Sequence, residues 1–187
     1  MDKKYTRVTD VLSPFSGLKN IDPAILKNAG ERGTLVHKLI DSEIMGMDGP
    51  IPEHVRGYMN SYYQWNVGQK FMDKPPRFFD DDLMLTGEID ALYVNDDGGL
   101  TLVDFKTPAN QSKTWALQGS AYCFLARCAG FDITEIEFVK LSKTGGKPKS
   151  YFYYKDFKKN WKTFQGCLDA YRHFYADSEE ESYLDYL

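Results

Sequence analysis

A predicted β-hairpin near the middle of the chain limits the possible folds more strongly than any other segment. Two strand-like segments, Glu88–Val94 and Leu100–Thr107, flank the loop Asn95-Asp96-Asp97-Gly98-Gly99. Asn, Asp and Gly favour tight turns, and runs of alternating and β-branched residues are typical of strands. The sequence therefore predicts two antiparallel strands whose side chains point alternately to two faces.

The register of this hairpin decides which charged side chains meet. If the residues that flank the loop face each other, Asp90 lies opposite Asp104, and Glu88 lies opposite Lys106. Opposed Cβ atoms in an antiparallel pair are about 4.5–5.5 Å apart. Asp104 and Lys106 are two positions apart, so they share a face. A loop with an even number of residues would turn Asp104 away from Asp90, so this interpretation depends on the register.

Two opposed carboxylates beside a lysine have two interpretations. On a partly buried sheet the carboxylates repel each other and resist desolvation, and a divalent hard cation such as Mg²⁺ relieves both effects. A metal ion, a water molecule and an ammonium group together suit the hydrolysis of a phosphodiester. The alternative is a surface hairpin in which the acids and the lysine only pair across the strands.

The remaining hydrophobic patterns predict helices before the hairpin and a mixed order of helices and strands around it. Helices are expected from Asp22-Pro23, over Glu31–Met45, after Pro52, over Ser112–Ala129 and from Asp156 onward. Further strands are expected over Phe78–Leu85, Ile133–Leu141 and Ser150–Tyr154. This order predicts an α/β (α+β) fold with a central mixed β-sheet flanked by helices.

Length and composition indicate one globular domain. The chain has 187 residues, of which 42% are hydrophobic and 27% charged, and we expect a single domain over residues 1–177. Three cysteines, Cys123, Cys128 and Cys167, cannot all pair with one another, which favours a reducing compartment. Neither an apolar run of about 18 residues nor an apolar leader is present, so we expect a cytoplasmic protein without a membrane partner.

Charge is unevenly distributed along the chain. The formal net charge of −4 argues against a protein that coats nucleic acid by charge alone. Between Phe138 and Lys162 there are eight lysines and one acid, interleaved with aromatic residues. This segment either contacts a nucleic acid or is a solvated outer face. Residues 178–187 form an acidic tail, which is either disordered or a docking segment for a protein partner.

Four short motifs follow one another in a fixed order. Gly33-Thr34-Leu35-Val36-His37 lies on a predicted helix, Gly87-Glu88-Ile89-Asp90 and Asp104-Phe105-Lys106 on the paired strands, and Gln118-Gly119-Ser120-Ala121-Tyr122 on the next helix. They resemble the GxxxH, GxxD, (D/E)xK and QxxxY motifs of RecB-like nucleases in the PD-(D/E)XK superfamily. The resemblance spans about residues 31–122. It implies a restriction-endonuclease-like core with the order α-β-β-β-α-β, in agreement with the predicted elements.

The resemblance implies that the hairpin and the first helix supply a metal site. His37, Asp90, Asp104 and the backbone carbonyl of Phe105 would be ligands of Mg²⁺ or Mn²⁺. Asp90 and Asp104 would be catalytic as well as ligands, and Lys106 would be the catalytic lysine. Some relatives carry an iron–sulfur cluster held by four cysteines, but this chain has only three, all after the third motif. No iron–sulfur cluster is expected.

The fourth motif and the segment before it are candidates for substrate binding. By resemblance, Gln118 and Tyr122 would position the DNA strand or support the site, since they lie one helical turn apart on one face. Lys113 and Trp115 follow the predicted catalytic strand and are placed to contact substrate.

The resemblance implies a metal-dependent DNA nuclease that acts on single strands or duplex ends. An exonuclease in recombination, repair or replication, of bacterial or phage origin, is the first expectation. An endonuclease of the same fold is the nearest alternative, since nothing in the sequence encodes a requirement for ends. A nuclease-fold module that binds DNA or protein without turnover is the second alternative, and an acidic interaction protein without a metal is the third.

Overall fold

The computed structural model describes residues 4–47, 49–72 and 74–175. The helices in this part are α1 (Val8–Leu12), α2 (Pro23–Ile44), α3 (Arg56–Asn66), α4 (Thr114–Cys128) and α5 (Phe157–Tyr175). The strands are β1 (Thr6–Arg7), β2 (Phe78–Asp80), β3 (Leu85–Gly87), β4 (Ala91–Val94), β5 (Leu100–Lys106), β6 (Ile133–Lys140) and β7 (Lys149–Phe152). The predicted acidic tail, residues 178–187, lies outside the described residues.

Two mixed sheets form the framework. The larger sheet has the order β4-β5-β6-β7, in which β5 and β6 are parallel and the two outer pairs are antiparallel. The smaller has the order β1-β3-β2, with β1 parallel and β2 antiparallel to β3. Helices α4 and α5 pack on one face of the larger sheet, and α2 and α3 on the other. The predicted α/β (α+β) class, a mixed sheet flanked by helices, is confirmed.

Alternate residues of β5 face two separate hydrophobic cores. Leu102 packs with α4 and α5, whereas Val103 and Phe105 pack with α2 and α3. The Phe105 ring is fully buried and lies edge-on to the rings of Tyr62 and Trp65, with centroid distances of 5.4 and 5.2 Å. Because these neighbours anchor one face of β5, the residue between Val103 and Phe105 must face α4.

The register predicted for the hairpin is confirmed. Val94 pairs with Leu100, and the ladder continues to the pair of Ala91 and Val103. Hydrogen bonds close the five-residue loop, where Asn95 N–H donates to the carbonyl of Gly99 at 2.8 Å. The turn residues therefore set the pairing, as the composition of the loop predicts.

The predicted position of Glu88 opposite Lys106 is wrong. Residues 88–90 leave the strand conformation between β3 and β4, so strand alternation does not reach Glu88. The Glu88 carboxylate instead lies 2.6 Å from the guanidinium of Arg77 and 3.6 Å from the ammonium group of Lys74.

The first long helix is longer than predicted. One helix runs through residues 23–44, whereas the sequence predicted a short helix and a second one from Glu31. Asp22 caps its N-terminus, since its carboxylate accepts hydrogen bonds from the backbone N–H groups of Ala24 and Ile25. Gly30 and Gly33 are both buried within it, so helix packing outweighs their weak helix propensity.

The predicted strand Phe78–Leu85 is a hairpin of two strands, β2 and β3. The chain turns between them, where the Asp80 carboxylate accepts a hydrogen bond from the backbone N–H of Leu83 at 2.7 Å. The following Met84 has a φ of 41°. The three successive acids Asp80-Asp81-Asp82 thus lie at the end of β2 and in the turn that follows it. Among the described residues, no helix is long and apolar enough to span a membrane.

Candidate active site

The site forms where β4 and β5 separate at the end of their ladder. Asp90 lies in the break before β4, and its Oδ2 accepts a hydrogen bond from the backbone N–H of Phe105 at 2.6 Å. The Asp90 carboxylate thereby accepts the hydrogen bond that a backbone carbonyl of β4 would otherwise accept from β5. This explains why the pairing of β4 with β5 ends at Ala91 and Val103. Asp104, the residue before Phe105, is 3% exposed. The hairpin thus brings both predicted aspartates to one place.

His37 joins this end of the hairpin from helix α2. Its Nε2 lies 2.9 Å from the carbonyl oxygen of Phe105, and its Nδ1 lies 3.1 Å from Oδ1 of Asp90. Both partners are acceptors, so this arrangement is satisfied when both ring nitrogens carry hydrogen. Burial lowers the pKa of His37, but the charge and hydrogen bond of Asp90 outweigh it and raise the pKa to about 9.

Lys106 lies on the face of β5 that packs against α4. Its ammonium Nζ is 2.7 Å from Oδ1 of Asp104 and donates a hydrogen bond to Oε1 of Gln118 at 3.0 Å. The same ammonium lies 5.2 Å from the centroid of the Phe138 ring, which makes a cation–π contact. Three separate elements therefore hold the lysine in one position.

The fourth motif forms a chain of contacts behind Lys106. Gln118 Nε2 donates to the hydroxyl of Tyr122 at 3.0 Å, while its Oε1 accepts from the lysine. The two side chains are buried, at 8% and 5% exposure. A Cβ atom built on Gly87 would lie 2.8 Å from two carbons of the Tyr122 ring. The glycine of the second motif thus makes room for the tyrosine of the fourth, and both residues support the site from within the core.

The two aspartates have opposite electrostatic environments. Burial raises the pKa of Asp104 to about 6; the Lys106 ammonium opposes this rise and the Asp90 charge adds to it. For Asp90, burial also acts to raise the pKa, but His37 and the Phe105 N–H outweigh it and lower the pKa. The site therefore holds one strongly ionised carboxylate and one that resists ionisation, as expected for two acids that share a cation site.

The donor atoms fit a hard divalent cation, although both ring nitrogens of His37 contact other groups of the protein. Two carboxylates and the Phe105 carbonyl are the oxygen ligands that Mg²⁺ prefers. Asp104 Oδ1 is buried and has no well-aligned hydrogen-bond donor among the described residues, although the ammonium of Lys106 lies near it. The ring nitrogens of His37, however, are used by Asp90 and Phe105. Within the described residues, no three His, Cys, Asp or Glu side chains already form a cage for a metal.

The two other predicted substrate residues are separate from this cluster. Lys113 is exposed at the start of α4. Trp115 is only 4% exposed, and its ring packs against Phe138 and Tyr151, with centroid distances of 5.9 and 5.8 Å. This burial does not support direct stacking of Trp115 on a substrate, because its ring is part of the core.

A group of charged residues beside the site was not found from the sequence. Asp41 lies one turn after His37 on α2 and forms an ion pair with Lys74, whose ammonium is also near Glu88. Burial acts to lower the pKa of Lys74, but the hydrogen bond and charge of Asp41 outweigh it and raise the pKa, with smaller contributions from the charges of Glu88 and Asp90. The contribution of Asp90 places this group at the edge of the site. No motif marks Lys74; only the position of Asp41 four residues after His37 could have drawn attention to this edge.

Comparison with known proteins shows similarity to solved structures at low sequence identity. No protein-family model matches the chain, and no curated protein matches it. The fold is similar to an alkaline exonuclease, LHK-Exo, from Laribacter hongkongensis, with 10% sequence identity over 92% of this chain and 91% of that one and a TM-score of 0.44. The complex of LHK-Exo with dAMP gives 12% identity over the same shares and a TM-score of 0.36. The protein SSO0001 gives 12% identity over 89% of this chain and 77% of that one, with a TM-score of 0.37.

Proposed function

We propose that this protein is a metal-dependent nuclease that hydrolyses phosphodiester bonds of DNA. The observation that carries the proposal is the convergence of four groups from distant parts of the sequence. Asp90 accepts a hydrogen bond from the Phe105 backbone N–H at 2.6 Å, and the two ring nitrogens of His37 lie 2.9 Å from the Phe105 carbonyl and 3.1 Å from Asp90. Asp104 and Lys106 flank Phe105 on β5 and lie 2.7 Å from each other. A surface hairpin whose charges only pair would not require a buried aspartate, a histidine from another helix and a lysine held by a buried glutamine.

The residues have distinct tasks in this proposal. Asp90, Asp104, the Phe105 carbonyl and His37 would hold Mg²⁺ or Mn²⁺, which when bound supplies Lewis acidity and a reactive water. His37 must first release a proton, since a protonated ring cannot bind a cation. Lys106 donates hydrogen bonds toward the negative charge that grows on the phosphate oxygens as a P–O bond to water forms and the P–O bond to the leaving oxygen breaks.

The finer parts of the proposal concern the substrate and the role in the cell. We propose an exonuclease that acts on single strands or duplex ends in recombination, repair or replication, in the cytoplasm of a bacterium or a phage-infected cell. The sequence motifs support these parts of the proposal. In it, Gln118 and Tyr122 act by holding Lys106 in position.

A second candidate function has one observation in its favour. The hydrogen bonds of His37 to Asp90 and Phe105 complete the site without a metal ion. Such an arrangement suits a nuclease-fold module that binds DNA or protein without turnover. The presence of Lys106 on a buried support favours the enzyme, since a binding module has no need to desolvate a lysine beside a carboxylate.

A cleavage assay with the full-length protein separates these functions. The substrates are internally labelled linear DNA and closed circular DNA, each with Mg²⁺, Mn²⁺ or EDTA. The proposal predicts cleavage of linear DNA with either metal and none in EDTA, and cleavage of the circle would identify an endonuclease instead. Asp104→Asn removes a proposed ligand, and Asp156→Asn, which changes an exposed residue directly before α5, is the matched control. No cleavage under any metal, or equal cleavage by Asp104→Asn, would contradict the nuclease proposal.

A further inference from the structure

A basic pocket lies beside the candidate active site, at the carboxyl ends of β5 and β6. It is a cavity of about 410 Å³. Its charged lining residues are Arg32, Lys140, Lys143, Lys147 and Lys149. None of its lining residues within the described chain is acidic, although acids outnumber basic residues in the whole protein, 27 to 23. Five like charges around one cavity repel one another, so this arrangement favours an anionic ligand.

Arg32 is the least satisfied member of this group. Its Nε is buried and has no hydrogen-bond partner among the described residues. Its guanidinium lies 5.8 Å from the centroid of the Tyr58 ring, which also lines the pocket. A ring at this distance supports the flat guanidinium and fixes its direction. A buried donor without a partner costs stability, yet the fold keeps Arg32 here, where its guanidinium adds a positive charge to the lining of the pocket.

The pocket is continuous with the catalytic strand. Thr107, the residue directly after Lys106, lines it. Lys140 on β6 is in register with Lys106 on β5, and the backbone N–H of Leu141 donates to the carbonyl of Lys106 at 2.8 Å. An anion in the pocket therefore lies close to the proposed reaction centre without touching the metal-binding groups.

The loop that carries two of the lysines is held in place by helix α3. Ser142 N–H donates to Ser61 Oγ at 2.9 Å, and the carbonyl of Gly145 accepts a hydrogen bond from Gln64 at 2.7 Å. The packing is so close that a Cβ atom on Gly57 would lie 1.8 Å from the carbonyl oxygen of Lys143. The cations of this loop are thus displayed on a fixed backbone, which reduces the entropy lost when a ligand binds.

From these observations we infer that the basic pocket binds a second phosphate of the substrate strand, separate from the phosphate that is cut. The inference rests on the proposed function, because it takes the ligand to be a nucleic-acid strand. Arg and Lys are the side chains that bind phosphate groups best, and the phosphates of one strand are regularly spaced. A strand with one phosphate beside Lys106 can then place another in the pocket, which fixes the direction of the strand relative to the reaction centre.

Binding of single-stranded DNA in EDTA tests this inference without any turnover. The affinity of the full-length protein for an internally labelled oligonucleotide is measured by fluorescence anisotropy at several salt concentrations. The double variant Lys143→Gln/Lys147→Gln removes two exposed charges of the pocket. The matched control, Lys158→Gln/Lys159→Gln, removes two exposed charges from α5, which does not line the pocket.

The slope of log affinity against log salt counts the phosphates that are neutralised. Each contact with a single strand contributes about 0.7 to this slope. We expect the pocket variant to bind more weakly than wild type with a slope reduced by about 0.7, while the control keeps the wild-type slope. Equal slopes for the pocket variant and the control would overturn the inference, as would a failure of the wild-type protein to bind the oligonucleotide.

The source of the phosphate is identified by three oligonucleotides with a 5′-phosphate, a 3′-phosphate or no terminal phosphate. The same loss of slope with all three identifies an internal phosphodiester, and a loss with only one identifies that terminal phosphate. Either result upholds the pocket. If the pocket variant has a reduced slope but the wild-type protein never cleaves DNA, the proposed enzyme is refuted and the phosphate-binding pocket is not. If the wild-type protein cleaves DNA but the pocket variant keeps the wild-type slope, only the inference about the pocket is refuted.

Discussion

Replacing Gly87 by alanine should disturb the site from a position that bears no functional group. The added Cβ would lie 2.8 Å from Cδ1 and Cε1 of Tyr122 and 3.0 Å from Cδ1 of Leu125. These distances are shorter than van der Waals contact, and both neighbours are buried. Overpacking of this kind costs about 1–3 kcal/mol of the free energy of unfolding. For a chain of this size, that lowers the Tm by about 2–4 °C per kcal/mol.

The effect should reach the reaction centre as well as the stability. Displacing the Tyr122 ring moves its hydroxyl away from Gln118, which in turn holds Lys106. We expect Gly87→Ala to cleave DNA more slowly than wild type even at temperatures where it is fully folded. Urea unfolding followed by tryptophan fluorescence measures the stability, and the initial rate of DNA cleavage measures the activity.

Gly166→Ala is the matched control for this experiment. Gly166 is exposed on helix α5, and a Cβ atom there would meet nothing within 4 Å. Alanine should therefore stabilise the protein by about 1 kcal/mol through its helix propensity and leave the rate unchanged. If Gly87→Ala were as stable as wild type and equally active, the proposed link between Gly87, Tyr122 and Lys106 would be wrong.

Three further changes have defined outcomes. Lys106→Gln should lower kcat by about 10²–10³ with a smaller effect on KM, since the ammonium acts on charge that develops during the reaction; steady-state rates test this. Gln118→Leu should lower kcat by about 10–100-fold, as is common for residues that orient a functional group, and an unchanged rate would refute its positioning role. In EDTA, the stabilising contact of His37 with Asp90 should be fully present below pH 6.5 and lost as the pH rises through about 9; urea unfolding of wild type and His37→Gln should converge over this range.

The sequence predicted the register of the hairpin and the shared face of Asp104 and Lys106 correctly because both follow from short-range rules. The Asn/Asp/Gly loop defines the pairing of Val94 with Leu100, and strand alternation then places Asp104 on the face of Lys106. The position of His37 beside the hairpin depends on a distant contact, since Val36 and Ile40 of α2 pack with Val103 and Phe105 of β5. The order of the four motifs, and no short-range rule, singled out His37 in the sequence.

Features that depend on tertiary contacts were missed or misassigned. Glu88 leaves the strand because the Asp90 carboxylate bonds the Phe105 N–H, an interaction that alternation does not encode. Trp115 was expected at the substrate, but its ring fills space against Phe138. Hydrophobic patterns do not distinguish a buried aromatic ring from one that awaits a ligand.

The basic pocket depends on tertiary contacts in the same way. The lysines of residues 140–149 were visible in the sequence as either a ligand surface or a solvated face. Only the structure brings Arg32 from α2 to the same cavity, since more than one hundred residues separate it from that segment.

Binding of Mn²⁺ to the full-length protein, followed by electron paramagnetic resonance, tests whether the convergent side chains form a metal centre. Wild-type protein should bind the ion, and Asp104→Asn should bind it at least about tenfold more weakly. Asp156→Asn, which makes the same change of charge at an exposed position, should bind Mn²⁺ as wild type does. No Mn²⁺ binding by the wild-type protein, or equal binding by Asp104→Asn, would contradict the account of His37, Asp90 and Asp104 as a metal-dependent nuclease centre.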